Sequence, residues 1–226
     1  LVLTGVALSR ALADANAGGI IAAGALPYAF VGGVVVVATP GDGALAAPHL
    51  LVGSLALALF GLIGYVGVAA LEWVFVAATT VGLLGALAAL LGRTALSTVG
   101  IAAVTVTVAV GSLPALPLLA ARLGRLPFPV LPQRPEEALA EPPRIPLTDV
   151  FAAAARTGEV LTGLLWGVGG SAVVAVVILI HSGQIPALIL AGVVTAALLL
   201  RSRLHPTARQ RVALLCYSIG LARHLE

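Results

Sequence analysis

Lysine and methionine are both missing from this 226-residue chain, and charge of either sign is scarce. Only 9% of residues are charged and 60% are hydrophobic, whereas a soluble domain carries about 25% charged residues. So little charge cannot clothe the water-facing surface of a chain this long. An ordinary soluble domain is excluded, and lipid must serve as part of the solvent. A single cysteine, Cys216, excludes an internal disulfide and reads as a small apolar filler.

The chemistry-bearing residues are equally sparse. His49, His181, His205 and His224 stand apart, with no metal-ligand spacing. Ser54, Ser97, Ser171 and Ser182 have no His or Asp companion at a catalytic spacing. Every charge maps to the end of an apolar run or to a loop, whereas ion-coupled carriers keep a charge at membrane depth. These absences point away from an enzyme, a metal site or a cofactor. The excess of twelve arginines over nine acidic residues is too small to imply nucleic-acid binding.

What is present is a series of apolar runs. A spanning helix needs roughly 20 apolar residues. Residues 1–9 are too short to span and read as the tail of a helix, so the chain looks like a piece of a longer protein. Complete spans are expected near Ile20–Ala38, His49–Ala69, Trp73–Leu91, Thr98–Leu119, Val160–Ile180 and Pro186–Leu200, with a further span beginning in VALLCYSIGLA. The expected fold is all-α: a polytopic transmembrane helical bundle of six complete spans and two partial ones. Pro27 should kink the first complete span, and Pro114 and Pro117 should distort the last turns of the fourth.

Three regions follow. Residues 1–121 form the first part of the bundle. Residues 122–148 form a linker with seven prolines from Pro127 onward, extended or disordered by composition. Residues 149–226 hold an amphipathic lead-in helix, two spans and the start of another, with Thr148 and Asp149 as the expected N-caps. With Arg10 placed in the cytoplasm, alternation puts ten arginines on that side and only Arg93 opposite, leaving Arg223 aside. This positive-inside bias makes residues 122–156 and Arg201–Arg211 cytoplasmic.

Small residues supply the packing motifs. Gly163 and Gly167 form G-x-x-x-G, and Gly61 and Gly64 recur at three-residue spacing. With Gly32 and Gly33 beside the Pro27 kink, they are the expected sites of close helix approach, since packing replaces the hydrophobic effect in lipid. Gly167, Gly169 and Ala172 also fit G-x-G-x-x-A, but inside an apolar helix with no acid downstream this is not a dinucleotide site. Arg156 and Glu159 can pair at i, i+3.

Four stretches carry a family resemblance: SRALADANAGGIIAAGALPYAFVGG, RLGRLPFPVLP, DVFAAAARTGEVLTGLLWG and LLLRSRLHPTARQRVALL. In order and spacing the chain resembles the EccD family, the polytopic subunit of actinobacterial type VII (ESX) secretion systems, which the arginine-only, alanine-rich composition fits. The most specific pieces are R-L-P-x-P-x-L-P, holding Arg125, Pro127, Pro129 and Pro132, and R-x-x-E-x-L-T-G-L-L, holding Arg156 and Glu159. The resemblance implies a cytoplasmic ubiquitin-like domain ahead of this segment and further spans beyond it. It implies a bacterial inner-membrane protein that pairs with a second copy around a lipid-filled cavity. It also implies assembly with EccB, the EccC ATPase and EccE, and no cofactor. The linker's mixed charges and prolines suit it either to lying across a partner, with Arg125, Pro127, Pro129, Pro132, Arg156 and Glu159 as the expected contacts, or to acting as a plain tether. The alternative is a small-molecule secondary transporter with its site near the Pro27 kink.

Overall fold

The computed structural model describes residues 2–11, 15–37, 46–68, 70–126 and 146–202. Among them every regular element is helical: α1 (Val2–Ala11), α2 (Ala15–Gly24), α3 (Leu26–Val37), α4 (Ala47–Gly67), α5 (Glu72–Leu91), α6 (Thr98–Ser112), a 3₁₀ turn (Leu113–Ala115), α7 (Leu116–Leu123), α8 (Leu147–His181) and α9 (Ile185–Ser202). The chain is an all-α transmembrane bundle. Among the described residues five stretches are long and apolar enough to cross a membrane: Asn16–Val37, Ala47–Gly67, Glu72–Leu91, Thr98–Leu123 and Leu147–His181. The sixth expected span, α9, has 18 residues. Its length of about 27 Å falls just short of a hydrocarbon core of about 30 Å. The partial span expected after it lies outside the described residues.

Proline sets the interruptions. Pro27 has no N–H for the Ala23 carbonyl, and the helix breaks between α2 and α3 at Ala25, whose N–H is shared between the Ile21 and Ala22 carbonyls at 3.2 Å each. Pro114 cannot serve Val110, and the Leu113 N–H takes that carbonyl in a tighter 3₁₀ bond. Elsewhere caps start the helices. The Ser97 hydroxyl accepts from the Gly100 N–H at 3.2 Å to open α6. His49 Nδ1 accepts from the Ala46 N–H at 3.0 Å to open α4.

One expected boundary is wrong. Thr148 and Asp149 do not cap α8; Pro146 is its N-cap, with φ −55° and ψ 130°, and Leu147 is its first residue. The last proline of the linker already has the extended backbone that an N-cap needs, and its missing donor is harmless there. Asp149 still lies in the first turn, where its charge favours the helix dipole.

Packing is organised around α5, which lies between α4 and α8. One core joins α6, α7, α8 and α9 through Val106, Leu116, Val160, Leu165, Leu179 and Leu198, and includes Val76 of α5. A smaller one gathers Ala22, Leu26 and Val68 around the fully buried Phe75. On α5 itself, the Thr79 and Thr80 hydroxyls donate to the Phe75 and Val76 carbonyls at 2.8 Å. Their polar atoms are thereby satisfied within the helix, and their methyl and backbone surfaces remain for packing.

Candidate functional site at the arginine-bearing end

Glycines let three helix pairs close. A Cβ at Gly163 would strike the Trp73 carbonyl and fall 2.8 Å from Val76 Cβ. One at Gly167 would fall 2.6 Å from Thr80 Cβ and 2.9 Å from the Ala77 carbonyl. Both glycines of α8 therefore lie against the backbone of α5. On the opposite side of α5, Gly61 abuts Thr79, with a Cβ there 2.6 Å from Oγ1, and Gly64 abuts the Phe75 ring. Gly33 meets Gly53 of α4, while Gly32 has nothing within 4 Å and so makes no close approach among the described residues. The 3.6-residue period turns consecutive residues about 100° apart, so only one of the two can face α4.

Closing α5 against α8 brings the polar ends of several helices together. A cavity of about 1150 Å³ opens where the α4–α5 turn, the end of α7, the start of α2 and the first turns of α8 meet. Arg125, Arg156 and Glu159, which are 31 or more residues apart across the linker or share α8, all line it. Pro127, Pro129 and Pro132 lie outside the described residues.

Arg156 does not pair with Glu159. Its Nε donates instead to Glu72 Oε1 at 3.4 Å, across 84 residues of sequence. On a helix Glu159 does neighbour Arg156, but the start of α5 puts Glu72 beside the guanidinium, and that side chain is only 14% exposed. The Arg156 side chain is 50% exposed, so the pair contributes at most about 1 kcal/mol. Glu72 Oε2 is buried with no hydrogen-bond partner among the described residues.

Strain marks the same place. Leu71 (φ 56°) and Arg125 (φ 54°) are the two non-glycine residues with positive φ among the described residues, and both line the cavity. Arg125 ends α7 in a Schellman arrangement: its N–H reaches the Arg122 carbonyl at 3.2 Å and the Leu126 N–H reaches Ala121 at 3.0 Å. Glycine normally fills that left-handed position. The available glycine, Gly124, stands one residue too early, because there a Cβ would strike Thr157 of α8. Close packing claims the glycine, and arginine is left with the strained backbone.

Above the charges, Trp73 and Trp166 stack obliquely, with ring centroids 6.4 Å apart and planes tilted by 47°. Tryptophan concentrates at the level of lipid headgroups. The sequence flagged neither Glu72, beyond its place at a helix boundary, nor Leu71 nor the tryptophan pair. The one available signal was a Trp in each of the two facing spans. Among the described residues no group of three or more His, Cys, Asp or Glu side chains could hold a metal ion.

The chain was compared with known proteins. The family model described as EccD-like transmembrane domain matches residues 1–223. No curated protein matches significantly. Among solved structures, the chain is similar to protomer 1 of the ESX-3 core complex, with a TM-score of 0.85 and 24% identity over 99% of this chain and 50% of that one, a likeness of fold. It is also similar to a chain of the MycP5-free ESX-5 inner membrane complex in State II, with a TM-score of 0.73 and 27% identity over 99% of this chain and 52% of that one. The chain thus spans about half the length of these solved chains. Matched along nearly its whole length, it belongs to the family of EccD-like transmembrane domains.

Proposed function

We propose that this chain is the membrane-embedded part of a structural, non-catalytic subunit of a type VII (ESX) protein secretion complex. The family match over residues 1–223 carries the reading, and the likeness to ESX-3 and ESX-5 complex chains supports it. Two copies would pair around a membrane cavity. EccB, the EccC ATPase and EccE would dock onto them, with energy coming from the ATPase.

The shape of α8 fits a docking role. Its 35 residues extend about 52 Å, so some 20 Å must project beyond a hydrocarbon core of about 30 Å. Projection at the arginine-rich end gives partner subunits a shaft in the cytoplasm, on whose first turns Leu147 and Phe151 stand exposed. The transporter alternative draws no support from the cavity, which Pro27 does not line.

The test is the mass of the particle extracted in mild detergent, with identification of what copurifies. A particle of several subunits that includes an ATPase is expected, and deletion of residues 127–145 should weaken that association. A lone monomer or dimer would sink the reading.

A further inference from the structure

The cavity at the arginine-bearing end has a charge pattern that narrows its occupant. Among the described residues its ionisable lining consists of two guanidinium groups, Arg125 and Arg156, and three carboxylates, Glu72, Asp149 and Glu159. The net charge is therefore −1 from these five groups, which disfavours a purely anionic ligand. The charges are also sorted. Arg156 uses only Nε toward Glu72, and its two Nη groups make no hydrogen bond among the described residues. A planar guanidinium held this way presents its fork to an oxyanion, which is phosphate-binding geometry. Arg125, exposed and also in the lining, adds a second donor set. Asp149, seven residues and about 10 Å nearer the start of α8 than Arg156 and on nearly the same face, remains as the acceptor for a cation.

Depth and size limit the ligand further. The Trp73–Trp166 pair marks the headgroup level, and the cavity sits at the ends of spanning helices and not between their middles. Its volume of about 1150 Å³ is ample for a small molecule.

We infer that this cavity binds a ligand bearing a phosphodiester and a primary ammonium, and that its source is the headgroup of an aminophospholipid in the surrounding leaflet. The phosphate lies on Arg156 and Arg125, the ammonium on Asp149, and the glycerol and upper acyl chains run toward the tryptophan pair. This assignment is independent of which complex the subunit joins.

The experiment is native mass spectrometry of the intact, delipidated protein titrated with phosphatidylethanolamine, phosphatidylglycerol and soluble glycerophosphoethanolamine. Phosphatidylethanolamine should bind at least about tenfold more tightly than phosphatidylglycerol, and Arg156→Gln should remove about tenfold, the size expected for a lost charged hydrogen bond. Arg125→Gly should lose a similar factor while its thermal unfolding temperature holds or rises, which separates lost binding from lost folding. Equal or tighter binding of phosphatidylglycerol would overturn the proposal. So would glycerophosphoethanolamine competing as well as the lipid, which would assign the site to a soluble ligand. Variants that keep lipid binding but shed copurifying subunits would make the cavity a protein-docking site instead, and the inference wrong.

Discussion

Arg201, near the end of α9, donates from Nη2 to the Leu113 carbonyl across 2.8 Å, at the point where proline has stripped α6 of its own donor. In an unbroken helix the N–H of residue 117 would serve Leu113, but that residue is Pro117. The Leu116 N–H takes the carbonyl in a 3₁₀ bond, and Arg201 takes its second lone pair. A charged donor from 88 residues away thus replaces a backbone donor and ties α9 to α6.

Arg201→Ala should therefore lower stability by about 1.5–3 kcal/mol, the range for a hydrogen bond to a charged group. In a Pro117→Ala background the loss should shrink, because the alanine introduced there supplies the backbone donor. Thermal unfolding in detergent of the two single variants and the double variant measures this coupling. Additive effects would show that the arginine acts elsewhere.

Gly163→Ala should destabilise by about 1–3 kcal/mol, the cost of overpacking a closed seam, since its methyl would meet the Trp73 backbone and not a movable side-chain tip. Gly158→Ala, five residues earlier on the same helix, places its methyl where nothing lies within 4 Å among the described residues. It should be neutral or stabilise by about 0.5–1 kcal/mol through helix propensity. Equal effects at both positions would mean that α5 and α8 do not close there.

Arg125→Gly should stabilise the end of α7 by about 1 kcal/mol by relieving the left-handed strain. Gly124→Ala should do the reverse, because its methyl meets Thr157. The comparison of unfolding temperatures is direct, and a drop for Arg125→Gly would show that the side chain contributes more than its backbone costs.

Part of this was legible in the sequence and part was not, for physical reasons. α4 and α5 begin within two residues of the positions expected, because apolar length and bounding charge set where a span starts and stops. Pro27, Pro114 and Pro117 acted where they stand, since a missing N–H is a local fact. Facing directions were illegible: these helices are apolar all round, so hydrophobicity gives no inward stripe. Gly32 and Gly33 are indistinguishable in sequence, yet among the described residues Gly33 meets a neighbour and Gly32 does not. The Arg156–Glu72 pair needed the fold, because a local partner, Glu159, was the obvious one and the chosen one came from α5. The strain at Arg125 arose from a conflict between two demands on a single glycine, which spacing alone cannot reveal.

Sidedness is open to direct measurement. With Cys216 replaced by Ser, a Leu96→Cys variant should react with a membrane-impermeant maleimide added to intact cells. A Leu147→Cys variant should react only in inverted vesicles. Both positions are exposed and lie at opposite ends of the bundle. The reverse pattern would invert the topology that the arginine distribution implies.

The continuity of α8 has a mechanical consequence. Two other crossings are jointed, one at Ala25 between α2 and α3 and the other through the 3₁₀ turn between α6 and α7. α8 runs from Leu147 to His181 without proline and without a break in its hydrogen-bond ladder. A tug on the linker at Leu147 therefore meets a rod and not a hinge. The rod is clamped to α5 at Gly163 and Gly167, so tilting its outer end must move α5 with it, and the load is shed at the jointed helices instead.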